Sequence, residues 1–463
     1  MMLFQIAPFL LLLLSSFVLP TFTKLAERRS VPSGIVTTRG QQFELDGKSF
    51  WLPLLTTKDD VDKTLRSMHA VGVKVLRTWV GASLLYVAEV SLTASQGFNA
   101  INASELAGAL ESGLTYYQTW NSTQWQLDEG QQGLQRLDYV IETAGKYDIK
   151  VIVAFTNNWV GYGGSDLYIQ WIKGAGQTHD IFFTDPDIVA SYQSYVRTIV
   201  ERYKNSTTIF AWELMNEARC ASDTLSSSSA CVPGSNTLLA WYREQSDFVR
   251  SLDPLHLITT GGEGQFFWKT PPEYWFDGTL ISDFNFNGQA GEDFDHNLDL
   301  PNIDFGTYHM YPQTWYPELD TLGSNFSVEE WGLGWISDHA NSAKKAGKPL
   351  LLEEFADATG TKANKSTIYP SWVQRALDTD HAYVSITIRL RRIYHCILRY
   401  SGIMPWQFGQ LGLTEDGGNR IIKYSDQLLN GASPNDGFAI YPNQTSVWDI
   451  FKHAAEVQAS RSG

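Results

Sequence analysis

A few ionisable and aromatic residues stand at the ends of apolar runs, and together their types suit one chemistry. The run from Thr208 to Leu214 leads into Met215-Asn216-Glu217, and the run from Pro349 to Glu353 leads into Glu354-Phe355. A third run, from Phe305 to His309, is followed by Met310-Tyr311, while an early run carries Arg77 and a late one Trp406. Two carboxyl groups on separate strand ends are what cleavage of a glycosidic bond requires. One, protonated, gives its proton to the leaving oxygen; the other, ionised, attacks the anomeric carbon or activates water. Arg77 has the charge to hold a nearby carboxylate ionised and oriented, and Trp406 has the flat face to stack on a pyranose. Taken singly, each feature has a plain structural explanation: a solvated glutamate, a core histidine or tryptophan, a buried ion pair. Their occurrence together, each at a strand end, carries the reading.

Such groups need a scaffold that gathers strand ends. Short apolar runs alternate with longer helical ones: Val73 to Thr78, Lys150 to Phe155, Thr208 to Leu214, Leu257 to Thr260, Phe305 to His309, Pro349 to Glu353 and Ile403 to Trp406 read as strands. Between them, Asp59 to Ala70, Leu134 to Tyr147, Asp185 to Tyr203, Leu238 to Leu252, Glu330 to Lys345 and Val447 to Val457 read as helices. Near the start, Gln42 to Leu45, a turn at Asp46-Gly47, and Lys48 to Leu52 read as a β-hairpin. About eight β/α units in one undivided stretch predict an α/β fold, a (β/α)₈ TIM barrel with an N-terminal β-hairpin and extended loops at the C-terminal face, where catalytic groups collect. A doubly wound sheet is the alternative, but no glycine-rich fingerprint comes after an early strand.

The 463 residues carry 35 basic and 50 acidic side chains, a net charge of −15, which argues against a nucleic-acid or anionic-membrane partner. Aromatic residues reach 13%, with 16 Trp and 21 Tyr, enough to line a sugar-binding cleft as well as a core. From Ile6 to Leu19 the chain is apolar and uncharged, too short for a comfortable membrane span and suited to a secretory leader. Residues 1–29 therefore read as a secretory signal and short pro-segment ending at Arg28-Arg29, and residues 30–463 as one catalytic domain. Six N-x-Ser/Thr sequons, at Asn102, Asn121, Asn205, Asn325, Asn364 and Asn443, fit a secreted, extracellular protein. Cys220 and Cys231 bracket a short polar loop and are expected to pair in an oxidising compartment, leaving Cys396 over. No Cys/His cluster has zinc spacing and no glycine loop suits a phosphate.

The stretch Trp212-Glu213-Leu214-Met215-Asn216-Glu217-Ala218-Arg219-Cys220 resembles the acid/base motif of glycoside hydrolase family 5, in its fungal endo-β-1,4-mannanase branch. Leu350-Leu351-Leu352-Glu353-Glu354-Phe355 resembles that family's nucleophile strand; Asn157-Asn158-Trp159, His309-Met310-Tyr311-Pro312 and Pro405-Trp406-Gln407-Phe408-Gly409 match as well. The resemblance covers nearly everything from about Val36 onward and implies a retaining endo-hydrolase of β-mannan without metal or cofactor; a monomer is the default expectation. It implies Glu217 as acid/base and Glu354 as nucleophile. Glu353 is the rival, but strict alternation along a strand lets only one of the two face a cleft, and the motif selects Glu354. It further implies that Asn216 holds the 2-hydroxyl, that His309 and Tyr311 bond around the two carboxyls, and that Arg219 binds a sugar on the leaving-group side. Arg77, Asn158, Trp159 and Trp406 complete the substrate-binding set. Retention requires carboxyl groups about 5–5.5 Å apart, against about 6.5–9.5 Å for inversion. Glu217 is expected to titrate high, because an ionised Glu354 beside it disfavours a second charge.

Three segments depart from the family pattern. Arg77-Thr78-Trp79 and Gly97-Phe98-Asn99 are separated by Val80 to Gln96, which reads as a retained intron, since a valine codon begins GT, CAG ends AG and the frame is kept; an ordinary loop insertion is the alternative. Val384 to Ser401 concentrates Arg389, Arg391, Arg392 and Arg399 beside Cys396 in an acidic chain. Between Phe50-Trp51 and Leu52-Pro53 the family carries extra residues. An endo-β-1,4-glucanase, or a glycan-binding protein impaired by these segments, is the alternative to the mannanase reading.

Overall fold

In the computed structural model, the described residues are 33–39, 42–44, 49–51, 58–78, 100–105, 107, 116–131, 133–159, 164–222, 224–356, 365–379, 383–384, 386–387, 397–398, 402–406, 408–411 and 438–460. Among them, eight strands and eight helices build the barrel in strict alternation. The strands are β1 (Ser49–Trp51), β2 (Val75–Thr78), β3 (Lys150–Ala154), β4 (Ile209–Glu213), β5 (Leu257–Thr259), β6 (Gly306–Met310), β7 (Leu350–Phe355) and β8 (Ile403–Pro405). The helices are α1 (Lys58–Ala70), α2 (Leu134–Lys146), α3 (Pro186–Tyr203), α4 (Thr237–Leu252), α5 (Phe294–Leu298), α6 (Val328–Ala346), α7 (Lys365–Asp378) and α8 (Thr445–Ser460). Strands β1 to β5 pair in parallel in chain order, as do β6 to β8. The Asp304 amide bonds the Ile258 carbonyl and the Thr259 hydroxyl bonds the Phe305 carbonyl, joining β5 to β6; β8 lies against β1 and closes the ring. The fold is the expected (β/α)₈ barrel.

Its core has the two layers that such a barrel needs. Between strands and helices lies a broad apolar shell that includes Leu65, Val196, Trp212, Trp241 and Trp335. Inside the ring, Val75, Ile152, Phe210, Leu257, Phe305, Leu351 and Met404 fill the lumen. Helix starts and stops obey local chemistry. Asp185 caps α3 by accepting from the Asp187 and Ile188 amides; Ser327 and Glu330 form a reciprocal capping box on α6, which ends at left-handed Gly347.

The N-terminal hairpin differs from its expected span. Thr37–Arg39 pairs antiparallel with Gln42–Glu44, whereas Ser49–Trp51 pairs in parallel with β2 as the first barrel strand. Apolar alternation identified both strands, but it does not distinguish a hairpin partner from a barrel strand. The true hairpin plugs the barrel floor: Phe43 meets Phe210 and Phe305 edge-on, at centroid distances of 5.1 and 4.8 Å. Tyr383–Val384 extends this hairpin and Ile386–Thr387 pairs with Ile397–Leu398, so part of the basic segment forms strands. The leader, the segment from Val80 to Gln96, the junction after Trp51 and Cys396 lie outside the described residues. Among the described residues, no helix is long and apolar enough to cross a membrane.

Candidate active site

The carboxyl ends of the strands converge on a cavity of about 720 Å³, lined by Glu217, Glu354, Asn216, Arg219, Trp159, Tyr311 and Trp406, among others. Glu217 reaches it because the chain beyond β4 stays pinned between its neighbours. The Met215 amide bonds the Thr260 carbonyl, the Asn216 amide bonds the Thr156 carbonyl, and the Glu217 amide bonds the Gly261 carbonyl at 2.7 Å. From α3, the Tyr192 hydroxyl holds the Leu214 carbonyl at 2.7 Å. Glu217 itself takes a left-handed backbone, φ 50°, a conformation that a non-glycine residue keeps only when its surroundings hold it there. Opposite, Gly261 must be glycine: its φ is +77° and a Cβ there would sit 2.3 Å from Glu213 Oε1.

Across the barrel, β7 breaks the strict alternation expected of it. Its register with β6 shifts, so that Tyr308 opposes Leu352 but His309 opposes Glu354. Glu353 is the extra residue of this irregularity. Both carboxylates therefore reach the same guanidinium: Arg77 Nη1 bonds Glu354 Oε1 at 2.5 Å, and Arg77 Nε lies 3.2 Å from Glu353 Oε1. Only Glu354 lines the cavity. The choice of Glu354 over Glu353 thus rests on where the bulge aims each side chain, not on simple alternation.

Beneath the cavity floor lies a dense ionic layer. Arg77, fully buried on β2, donates to both oxygens of Glu213, at 2.5 and 2.6 Å, and to Asn216 Oδ1 at 2.8 Å. His309 Nδ1 sits 2.6 Å from Glu217 Oε1 and 3.6 Å from Glu354 Oε2. The Tyr311 hydroxyl donates to Glu354 Oε2 at 2.6 Å, and the Trp159 indole N–H donates to Glu217 Oε2. From α6, the Trp335 indole N–H holds the His309 carbonyl at 2.8 Å. One ligand-type atom from each of Glu217, His309 and Glu354 lies within 4.8 Å of the others. That trio has the composition of a cation site, and within it the His309 imidazole bonds Glu217 directly.

Burial pushes Glu354 up to about 7, despite the charges of His309 and Arg77 and with the Glu217 carboxyl adding to the rise. Glu213 is likewise pushed up by burial to about 7 against Arg77. Burial alone lowers a histidine, yet the surrounding carboxylates bring His309 up to about 10. In Glu217, burial is outweighed by the hydrogen bond and charge of His309, by the Trp159 N–H and by Arg219, so its pKa lies below the ordinary carboxylate value. This reverses the expectation that Glu217 titrates high. That expectation counted the neighbouring carboxylate but not an imidazolium bonded to Glu217 itself.

These shifts have a stability consequence. Glu213, Glu354, Glu292 (about 8) and Asp338 (about 6) all bind protons more tightly folded than unfolded, where a carboxyl titrates at about 4. A raised folded pKa contributes stability that is full below the unfolded value and is lost as pH rises through the folded value. His339, lowered to about 4, works the other way but is one group against four. The melting temperature should therefore fall between about pH 5 and about pH 8. A melting temperature that stays flat or rises over that range would contradict this electrostatic layout.

The expected substrate-binding residues divide into three groups. Asn216, Arg219, Trp159, Tyr311 and Trp406 line the cavity; Arg77 and His309 lie under it and touch the carboxyls. Asn158 is buried one step behind the cavity wall, with its side-chain amide donating at 3.2 Å to the hydroxyl of Ser222, which lines the cavity. Its neighbour Asn157, also fully buried, accepts from Asn216 Nδ2 at 2.8 Å and bridges Asn216 backbone to backbone. Arg219 is held by Glu263, at 2.5 and 2.7 Å, and lies 5.1 Å over the Trp159 ring. Cys220 and Cys231 are joined as a disulfide, with Cα atoms 5.3 Å apart. Sequence reasoning missed Glu213, Glu263, Gln265, Phe284 and Trp315. Glu263 stands four residues beyond β5 and was open to the strand-end reading that found the others; Glu213 was hidden inside an apolar run.

Residues 39–387 match the family model described as cellulase (glycosyl hydrolase family 5). The chain is 31% identical over 420 residues to the probable mannan endo-1,4-beta-mannosidase A of Aspergillus flavus, covering 89% of this chain and 85% of that one. It is 30% identical over 464 residues to mannan endo-1,4-beta-mannosidase A of Aspergillus aculeatus, covering 98% and 99% of the two chains. Among solved structures, the endo-1,4-beta-mannanase from Rhizomucor miehei aligns with a TM-score of 0.67 at 28% identity, over 92% of this chain and 99% of that one.

Proposed function

The chain belongs to glycosyl hydrolase family 5, and from that membership we propose that it is a secreted, monomeric endo-β-1,4-mannanase that cleaves mannan, galactomannan and glucomannan with retention. The observation that carries the mechanism is the spacing of Glu217 and Glu354, one carboxyl oxygen of each lying within 4.8 Å of the other. So close an approach suits a retaining pair, whose carboxyl groups stand roughly 5–5.5 Å apart, better than an inverting pair, held roughly 6.5–9.5 Å apart to leave room for water. Glu354, oriented by Arg77 Nη1 and the Tyr311 hydroxyl, attacks the anomeric carbon while Glu217 protonates the leaving oxygen. Water then cleaves the glycosyl-enzyme, with Glu217 taking its proton.

The low pKa of Glu217 is compatible with its role as acid, because Glu217 and His309 share one proton. A carboxylate beside imidazolium and a carboxylic acid beside neutral imidazole are the same protonation level, and a 2.6 Å hydrogen bond lets the proton cross as the leaving oxygen gains charge. The high pKa of His309 keeps that proton in the pair through neutral pH. The mannan preference rests on the similar fungal enzymes and on Arg219, held over Trp159 at the cavity wall.

Proton NMR of mannohexaose hydrolysis tests the mechanism: the first reducing ends released should be β-anomers, and initial α-anomers would overturn retention. Galactomannan should lose viscosity quickly. Faster release of reducing ends from carboxymethyl cellulose would move the assignment to a glucanase.

A further inference from the structure

A second cavity, of about 590 Å³, shares no lining residue with the first. It lies between the two-stranded turn Gln118–Trp120 and Trp125–Leu127, in the long loop after β2, the helix Ser165–Lys173 that comes after β3, and the outer face of α3. Trp120, Trp125 and Trp171 cluster in its wall. Trp120 and Trp171 are near-parallel, 11° apart with centroids 6.3 Å from each other, and Trp125 meets both at 5.3 and 5.0 Å. Gln124, Ser191 and Ser194 add polar groups.

Two observations separate this groove from ordinary packing. The Trp125 indole N–H and the Ser191 hydroxyl, both in its lining, are buried and have no hydrogen-bond partner. A buried donor without a partner is costly, and a ligand hydroxyl would satisfy it. The lining also offers no unpaired charge: its one carboxylate, Asp187, is bound by Lys173 at 2.6 Å. Flat rings, hydroxyls and carboxamides without free charge match a neutral ligand with apolar faces and equatorial hydroxyls. They do not match a phosphate or an acidic peptide.

We propose that this groove is a second carbohydrate-binding site, which holds a segment of neutral β-linked polysaccharide outside the catalytic cleft. Only the identity of the sugar, mannan, rests on the functional reading above. A second hold on the polymer raises the local concentration of chain at the cleft, and so acts on long or insoluble substrates but not on short soluble ones.

The test compares wild type with Trp171→Ala and Ser194→Arg. The first removes a half-buried ring; the second, at an exposed position of α3, fills the groove from outside and leaves the indoles in place. Because Asn121-Ser122-Thr123 is a sequon at the rim, all three proteins are produced without N-glycans. Both variants should bind insoluble mannan about 2- to 10-fold more weakly, the scale of a lost ring stack, and hydrolyse soluble mannohexaose at the wild-type rate. If Trp171→Ala fails to fold, Ser194→Arg still decides. Unchanged mannan binding by Ser194→Arg, or a parallel loss of mannohexaose hydrolysis, would overturn the proposal. A wild type inert on mannohexaose contradicts the functional reading instead, and the binding comparison on mannan, cellulose and xylan still decides the groove.

Discussion

Glu354→Ala should lower kcat on mannohexaose by about 10⁴-fold or more, the scale on which enzymes lose rate when a covalent nucleophile is removed. The loss should fall on kcat, because Glu354 contacts Arg77 and Tyr311 underneath and opens to the cavity above, and its removal leaves the cavity walls in place. Glu217→Ala should cost less, about 10²–10⁴-fold, the range of general acid catalysis. That loss should shrink on aryl mannosides, whose leaving groups need little protonation. Azide sharpens the contrast, since a small anion can enter the space each truncation vacates. With Glu217→Ala it should intercept the glycosyl-enzyme and release the β-mannosyl azide; with Glu354→Ala it should attack directly and give the α-azide. Steady-state kinetics and NMR of the azide products check both statements. The same azide anomer from both variants would mean that the two roles are misassigned.

Arg77→Met should destabilise the fold by about 3–5 kcal/mol, the range for removing one partner of a buried ion pair. Arg77 is the guanidinium against which Glu213, Glu353 and Glu354 are all buried. Glu353 depends on it most: neither of its carboxyl oxygens accepts a hydrogen bond, and it rests on Arg77 at 3.2 Å and His309 at 3.8 Å. Lost packing would destabilise the variant equally at every pH, but lost charge would not. Without Arg77, Glu213 and Glu354 bind protons still more tightly in the folded state. The deficit should therefore be larger at about pH 8 than at about pH 5, where protonation relieves the uncompensated charge. Urea unfolding of wild type and variant at the two pH values measures it. A deficit independent of pH would reduce Arg77 to a packing residue.

The barrel was legible because its strands and helices differ in period and alternate regularly, and because strand ends are where this fold places chemistry. Glu217, Glu354, Arg77 and Trp406 could all be found from the position of ionisable and aromatic residues in or just beyond the apolar runs. Contacts between distant segments were less legible. Asn157 and Asn158 are equivalent in the sequence, and only the packing beyond β3 gives the first Asn216 and the second Ser222 as its side-chain partner. Glu213 looked like one polar residue in a buried strand until Arg77 appeared opposite it. The bulge at Glu353 has no signature in Leu350-Leu351-Leu352-Glu353-Glu354-Phe355, since it arises from pairing with β6. The titration order of the two carboxyls depended on a hydrogen bond from His309, and proximity of charge alone pointed the wrong way. Likewise, Ser49–Trp51 reads as a strand in isolation, while its partner is chosen by the closing of the ring.

The central claim is that Glu354, and not the adjacent Glu353, forms the covalent bond to the sugar. A 2-deoxy-2-fluoromannosyl fluoride slows both steps but keeps a good leaving group, so the glycosyl-enzyme should accumulate. Peptide mass spectrometry of the inactivated protein should place one fluoromannosyl group on Glu354. A label on Glu353, or turnover with no covalent adduct and inverted product, would contradict the assignment.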